Sequence, residues 1–329
     1  MAFFDFPEEQ LRTYAGQATL PSDFEEFWRS TLDEQLPLDL QIELEKVEIP
    51  LTAYDVYDLS FLGYGGARIH AWVRVPHADG PQATVVNYLG YSGSRGYPWR
   101  DAYYAQAGYV HITMDSRSQG WGTRSFGALS PDPDLTRGQM ATPGVMTSGI
   151  LDRENYYYRR LFIDAVRALQ AALTLKWVDP DRLVAAGISQ GGGMTLAATG
   201  LAAMAGIPLA ASMPDVPFLC DFRRAVGLTD AYPYCEIVDY LSNHPGLTSQ
   251  AFTTLSYFDG VNFARYGTVP ALFSTALMDE ICPPSTVFAA YNTYVNPDKT
   301  IRVWPWNNHD GGQDHMVYEQ LLWLKARLA

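Results

Sequence analysis

The segment GISQG, residues 187–191, sets one serine between two glycines. It follows an apolar run, RLVAA (182–186), and opens a small-residue stretch, GGMTLAATGLAAMA (192–205). A G-x-S-x-G read as strand, sharp turn and helix pushes the serine hydroxyl above a sheet, so Ser189 is the candidate nucleophile. The glycines let neighbouring backbone pass close by. The N–H of Gln190, at the start of the helix, is aimed where an oxyanion would form. A serine hydroxyl attacks poorly unless a base takes its proton, and the base needs a partner that orients it. In this arrangement the chain order is serine, acid, histidine.

Three histidines follow Ser189: His244, His309 and His315. His244 lies in a turn sequence, SNHPG. His309 follows the apolar run KTIRVWPW (299–306), in the loop NNHDGGQDH, where a base at a strand's carboxyl end belongs. His315 falls at the start of a C-terminal helix. The acid is expected after the preceding strand, PALFSTALMD (270–279), which makes Asp279 the first choice and Glu280 the second, because strand ends are read only to within a couple of residues. A second oxyanion donor is expected on the loop after the first buried parallel strand, NYLGYSGSRGYPW, where the candidate is the N–H of Tyr91. The same loop NNHDGGQDH also permits a metal reading, with His309, His315, Asp310 and Asp314 as ligands. Neither an HExxH nor a cysteine-pair spacing accompanies it, so no metal is expected.

The elements that must hold these residues are legible as apolar runs. After Pro81 come ATVVNYLGY (83–91), GYVHITMDS (108–116), RLVAAGIS (182–189), LAASMPDV (209–216), 270–279 and 299–306, with helical stretches between them, the clearest at 154–175. Continuous apolar strands alternating with helices predict a parallel sheet covered on both faces. An alternating hairpin, 54–62 and 68–75 around GYGG, would extend it at one edge. PSDFEEFWRSTLDE (21–34) predicts an amphipathic helix with Ser22 as N-cap and Glu25 closing a capping box. Residues 217–269 are too long for a plain connection and read as an aromatic, loop-rich insertion with one helix near 249–258. The expected organisation is a single domain over 1–329, with an N-terminal arm at 1–35 and this insertion inside it.

The 329 residues carry a formal charge of −13 and are 47% hydrophobic. No cluster of Lys and Arg is present, which excludes a nucleic-acid partner. Three scattered cysteines, Cys220, Cys235 and Cys282, make no disulfide framework and suit a reduced, cytoplasmic setting. The N-terminal stretch has no basic region followed by an apolar run and does not read as a secretory signal. Leu183 to Pro214 contains no charged residue, but six glycines and Pro208 interrupt it, which favours a buried strand and helix over a membrane span.

Several blocks, in order along nearly the whole chain, resemble the family-seven carbohydrate esterases, the acetylxylan esterases and cephalosporin C deacetylases of the α/β-hydrolase superfamily. These blocks are MAFFDFPEEQL, DFEEFW, YYYRRLFIDAVRALQAA, GISQGGG, LMDEICPPSTVFAAYN and NNHDGG. The resemblance implies a triad of Ser189, Asp279 and His309, oxyanion donors at Tyr91 and Gln190, and no metal or other cofactor. It further implies removal of acetyl groups from small acetylated sugars and related alcohols, and a homo-oligomer, often a hexamer. Three positions depart from the family's pattern. Arg117-Ser118-Gln119 stands where Arg-Gly-Gln is usual, while the literal Arg137-Gly138-Gln139 lacks the strand context. His309-Asp310 stands for His-Glu, and Leu89-Gly90-Tyr91 for His-Gly-Tyr. Arg117, Gln119 and Asp310 would be support residues. Tyr91, Trp99 and aromatics of 217–269 are candidates for stacking on sugar rings. A broader short-chain esterase or peptidase of the same fold, or a non-catalytic binding protein on that fold, are the competing expectations.

Overall fold

Val85 and Val86 point to opposite faces of one strand, and both are fully buried. That is possible only where both faces of a sheet are covered, as the unbroken apolar run predicts. The computed structural model describes residues 3–122, 130–133 and 144–328; Arg137-Gly138-Gln139 lies outside them. Its described strands are β1 (Glu43–Val47), β2 (Tyr54–Leu62), β3 (Arg68–Pro76), β4 (Gln82–Tyr88), β5 (Val110–Met114), β6 (Val178–Ile188), β7 (Ala211–Asp215), β8 (Ala271–Ala276) and β9 (Lys299–Trp304). They form one sheet in the order β1-β2-β3-β5-β4-β6-β7-β8-β9. From β5 through β9 the neighbours run parallel, whereas β1, β2 and β3 pair antiparallel and extend one edge. β1 was not foreseen: ELEKV is charged and almost wholly exposed, which suits an outermost strand and blunts its free edge.

The two faces are packed by different parts of the chain. Val86, Ala185 and the helices Phe24–Gln35, Tyr157–Leu173 and Gln190–Ala205 form the main core. Val85, Val184, Ala186, Met213 and Leu272 pack on the other face against Met316 and Leu324 of the C-terminal helix Gln313–Leu328. The uncharged run 183–214 is therefore β6, a buried helix and β7, and no described helix is long and apolar enough to cross a membrane.

The first long helix begins at Phe24, later than its sequence pattern suggests, and no capping box forms. Asp23 occupies the N-cap, and its carboxylate is drawn instead to the Tyr257 hydroxyl (2.5 Å) and Arg153 (2.6 Å). Tertiary partners outbid the local cap. Phe24, Phe27 and Trp28 pack against Tyr257, Phe258 and Phe263, so the arm lies on the insertion. The insertion is also more helical than its sequence suggests, with helices at Tyr234–Asn243, Thr248–Ser256 and Gly260–Ala264 besides a short one at Phe222–Ala225.

One buried ion network pins the loop after β5. Arg117 is fully buried and donates to both carboxylate oxygens of Asp164 (2.6 and 2.7 Å), to Asp132 (3.2 Å) and to the Tyr64 carbonyl (3.2 Å). Removing one partner of such a pair leaves an uncompensated buried charge. Asp164→Ala is expected to cost about 3–5 kcal/mol of stability, read from the urea unfolding midpoint; a shift below about 1 kcal/mol would contradict a structural role for the pair.

Candidate active site

The turn between β6 and the helix Gln190–Ala205 is built from close backbone approaches. A Cβ on Gly191 would stand 2.1 Å from the Tyr88 carbonyl oxygen, and one on Gly187 would stand 2.5 Å from the Gly191 carbonyl oxygen. No other residue type fits either place. Ser189 between them has φ 59° and ψ −120°, a strained backbone for a residue with a side chain. It is held there from three sides. Its N–H donates to the Asp215 carbonyl (2.9 Å), and its own carbonyl accepts from the N–H groups of Gly193 (3.0 Å) and Phe218 (2.9 Å).

The Ser189 Oγ lies 2.9 Å from His309 Nε2. His309 Nδ1 lies 2.9 Å from Asp279 Oδ2 and 3.2 Å from Oδ1. Asp279 is fully buried, and its Oδ1 also accepts from the N–H groups of Ile281 and Cys282, both at 2.8 Å. A carboxylate only accepts, so Nδ1 carries the imidazole proton and Nε2 is left to accept from the serine hydroxyl. Glu280 turns away; its N–H donates to Asn308 Oδ1 (3.0 Å), which also accepts from His309 N–H (2.8 Å). One asparagine thus ties the acid's loop to the base's loop.

His244 is exposed and stacks on Tyr240, and His315 lies in the first turn of the C-terminal helix near Trp304. Among the described residues, the acid and histidine atoms that do converge are those of Asp279 and His309, together with Cys282. Asp279 and His309 are already engaged with each other and with Ser189, and neither His315 nor Asp314 joins them. The side chains of NNHDGGQDH therefore do not gather as a ligand set.

The two candidate oxyanion donors flank Ser189, Gln190 as its neighbour in sequence and Tyr91 on the loop after β4. A Cβ on Gly90 would stand 3.9 Å from the Ser189 Cβ, so the Tyr91 loop runs beside the serine. Neither the Tyr91 nor the Gln190 backbone N–H has a hydrogen-bond partner among the described residues. Behind them, buried Gln119 links both loops. Its Oε1 accepts from Ser92 N–H (2.7 Å), and its Nε2 donates to Gln190 Oε1 (2.9 Å) and to the Tyr157 hydroxyl (3.0 Å). Gln190 Nε2 in turn donates to the Leu89 carbonyl (3.3 Å). That contact uses backbone, so the exchange of histidine for leucine at position 89 does not disturb it. At the Arg117-Ser118-Gln119 departure, Ser118 adopts φ 54°, where glycine is favoured, and its hydroxyl accepts from Asp132 N–H (2.9 Å) in partial compensation. At the His309-Asp310 departure, Asp310 accepts from Asn307 Nδ2 (2.6 Å) and so braces the loop that carries His309.

Ser189 and His309 open into a cavity of about 790 Å³ lined by Tyr91, Trp121, Ile188, Tyr232, Ile281 and Glu236, among others. Its walls are mainly apolar and its size is that of a small-ligand pocket. Trp99 is not among the described residues lining it and stacks on Tyr97 instead (4.9 Å between ring centroids). Glu236 was missed from sequence; nothing in the local pattern separates it from Asp230 and Asp239 nearby. Its carboxyl is raised above the usual range by burial, and the Tyr91 phenol is raised by burial and by Glu236.

Asp215, at the end of β7, was also missed. Burial pushes its carboxyl up to about 7, against the opposing pull of the Ser274 hydroxyl and His309, while nearby Asp279 pushes it further up. An unfolded aspartate titrates near 3.9. Between roughly pH 4 and pH 7 the unfolded chain gives up this proton while the folded chain keeps it, so Asp215 lowers stability as pH rises through that window. The cost levels off above it at an order of magnitude of about 4 kcal/mol. Asp215→Asn has no charge to bury, so its unfolding midpoint should gain on wild type between pH 5 and pH 8; a constant difference across that range argues against a buried, proton-holding Asp215. Gly191→Ala drives a methyl into the Tyr88 carbonyl, and a displacement of about 1 Å at a site of this kind costs about 100-fold in rate. An alanine variant with wild-type kcat would show that the close approach does not matter.

The acetyl xylan esterase (AXE1) family model matches residues 1–327. The acetyl esterase Axe7A of Xylanibacter ruminicola is 28% identical over 98% of this chain and 70% of its own length. Among solved structures, the acetyl xylan esterase of Paenibacillus sp. R4 is 34% identical, covers 98% of this chain and 100% of that one, and superposes with a TM-score of 0.88. Acetyl xylan esterase 1 of Thermoanaerobacterium sp. JW/SL YS485 is 33% identical over 98% and 99% of the two chains, with a TM-score of 0.86. With its mostly parallel sheet, its strand–serine–helix turn and matches that run end to end, the chain has the α/β-hydrolase fold and belongs to the acetyl xylan esterase family, a family of carboxylic ester hydrolases.

Proposed function

We propose that the chain removes O-acetyl groups from small acetylated carbohydrates, such as xylo-oligosaccharides, and from related alcohols such as cephalosporin C. The observation that carries this reading is the unbroken Ser189–His309–Asp279 hydrogen-bond chain at the floor of an apolar cavity. His309 Nε2 takes the proton of Ser189 as Oγ attacks the acetyl carbonyl carbon. The developing oxyanion is met by the N–H groups of Tyr91 and Gln190, each worth about 3–4 kcal/mol in the transition state. Asp279 holds the imidazole tautomer and its positive charge. The C–O bond to the alcohol breaks, and the alcohol leaves with the proton from His309. Water then enters, gives its proton to His309 and attacks the acetyl-serine. Acetate departs and Ser189 regains its hydrogen.

Arg117, Gln119 and Asp310 support this site through the loops they pin rather than by touching substrate. The cavity favours a small ester over a polymer chain, and Tyr91, Trp121 and Tyr232 offer aromatic faces to a sugar ring. In this reading the enzyme works as a homo-oligomer, a hexamer by family resemblance, and in the cytoplasm, a compartment consistent with three unpaired cysteines.

Ser189→Ala is expected to lower kcat by about a million-fold without loss of fold, measured with p-nitrophenyl acetate; activity surviving in that variant refutes the nucleophile. An acyl-length series decides the substrate class. A steep fall from acetate to butyrate supports deacetylation, and a preference for longer acyl chains or for peptide amides transfers the assignment to a broader esterase or a peptidase. Turnover of acetylated xylo-oligosaccharides beside cephalosporin C then identifies the alcohol.

A further inference from the structure

Glu236 stands outside the hydrogen-bond chain that ends at Ser189, yet both of its oxygens are spent on the loops around that serine. It lies in the first turn of the helix Tyr234–Asn243, within the insertion, and is only 8% exposed. Its Oε1 accepts from the Tyr91 phenol (2.5 Å), and its Oε2 accepts from Met146 N–H (3.2 Å). The Tyr91 hydroxyl also accepts from Gly144 N–H (3.3 Å), and the Tyr91 ring packs edge-on against Trp121 (5.4 Å, 83°). The phenol is therefore fixed at its tip by a carboxylate and on its side by an indole. The peptide of the same residue carries the N–H read as an oxyanion donor, on a loop that runs beside Ser189.

We propose that Glu236 is a positioning residue for the reaction: by gripping the Tyr91 phenol it holds the Tyr91 N–H where the oxyanion forms. This rests on the reading of Tyr91 as an oxyanion donor. A carboxylate is costly to place in a mainly apolar cavity. The return is a charge-assisted hydrogen bond, about twice as strong as a neutral one and correspondingly more rigid. A glutamine would pack in the same volume and lose that charge. The inserted segment thus reaches past its own core to the reacting centre, which gives 217–269 a role beyond covering the cavity.

A device that only stiffened the fold would change the melting temperature and leave kinetics alone. An interaction felt only in the transition state lowers kcat and kcat/KM together and leaves KM nearly unchanged. Glu236→Gln, Tyr91→Phe and the double variant are compared in the full-length protein with p-nitrophenyl acetate. Each single change is expected to lower kcat about tenfold with KM within about twofold of wild type, and the double variant to be no slower than the slower single, because residues acting through one contact are not additive. Wild-type kcat in Glu236→Gln overturns the proposal, as does a double variant whose loss is the product of the two single losses. If Glu236→Gln fails to fold, Tyr91→Phe decides alone: a tenfold loss of kcat at constant KM supports the grip, and full kcat overturns it. Ser189→Ala separates the two levels of inference. An inactive Ser189→Ala beside fully active Glu236→Gln and Tyr91→Phe removes only the role of Glu236, whereas an active Ser189→Ala removes the reaction scheme beneath it.

Discussion

Ser189 can stand at the head of its helix only because the surrounding backbone leaves no room for anything else. The turn costs of the order of 1–3 kcal/mol in local strain. Three backbone hydrogen bonds, to Asp215, Gly193 and Phe218, hold it in place. Those bonds exist because β6, β4 and β7 lie side by side, and because Gly187 and Gly191 allow contact at distances a methyl group would forbid. The sheet order, with β4 and β7 flanking β6, is thus a condition for the nucleophile. The acid and base loops leave β8 and β9 at the same edge and are joined through Asn308.

Around this turn the structure divides its labour by chemistry. Aromatic rings from the N-terminal arm and the insertion make the dry core, with Phe24, Phe27, Trp28, Phe258 and Phe263 in mutual contact. One group of buried polar side chains stands behind the nucleophile. Gln119 and Gln190 link the loop of Tyr91 to the turn of Ser189, and Arg117 fixes the segment from which Gln119 projects. A buried polar network is valuable only when its members are satisfied. Here the amides pair with each other and with tyrosine hydroxyls, so both loops are tied into one network. Preorganised donors of this kind are what stabilise charge without further rearrangement.

Much of this was legible in the residues. Apolar runs marked β4 through β8, and alternation marked the hairpin of β2 and β3, because the period of burial is written into each strand. β9 departs from that pattern: it is the last strand of the sheet, carries Lys299 and Arg302, and is only partly buried. The order of Ser189, Asp279 and His309 followed from strand ends, and their polar atoms form one chain in the structure. What local pattern did not reveal was decided by distant partners. β1 has no apolar signal because it is an edge. The capping box gave way to the bonds of Asp23 with Arg153 and Tyr257. The last helix of the insertion and the turn before it pack Phe263 and Phe258 against the N-terminal arm, far away in sequence. Glu236 and Asp215 look like ordinary acids until the fold encloses them.

Asp215 also shows why the acid in this site is Asp279. Both carboxyls are buried, both lie at strand ends, and both feel His309. Asp279 receives two backbone N–H bonds besides the imidazole. Asp215 has the single hydroxyl of Ser274, and burial holds its carboxyl near 7. A second full negative charge there would compete for the imidazolium that forms during catalysis and spread its stabilisation over two directions. What singles out Asp279 is its contact with Nδ1 (2.9 Å), a matter of placement at the strand end and not of residue type.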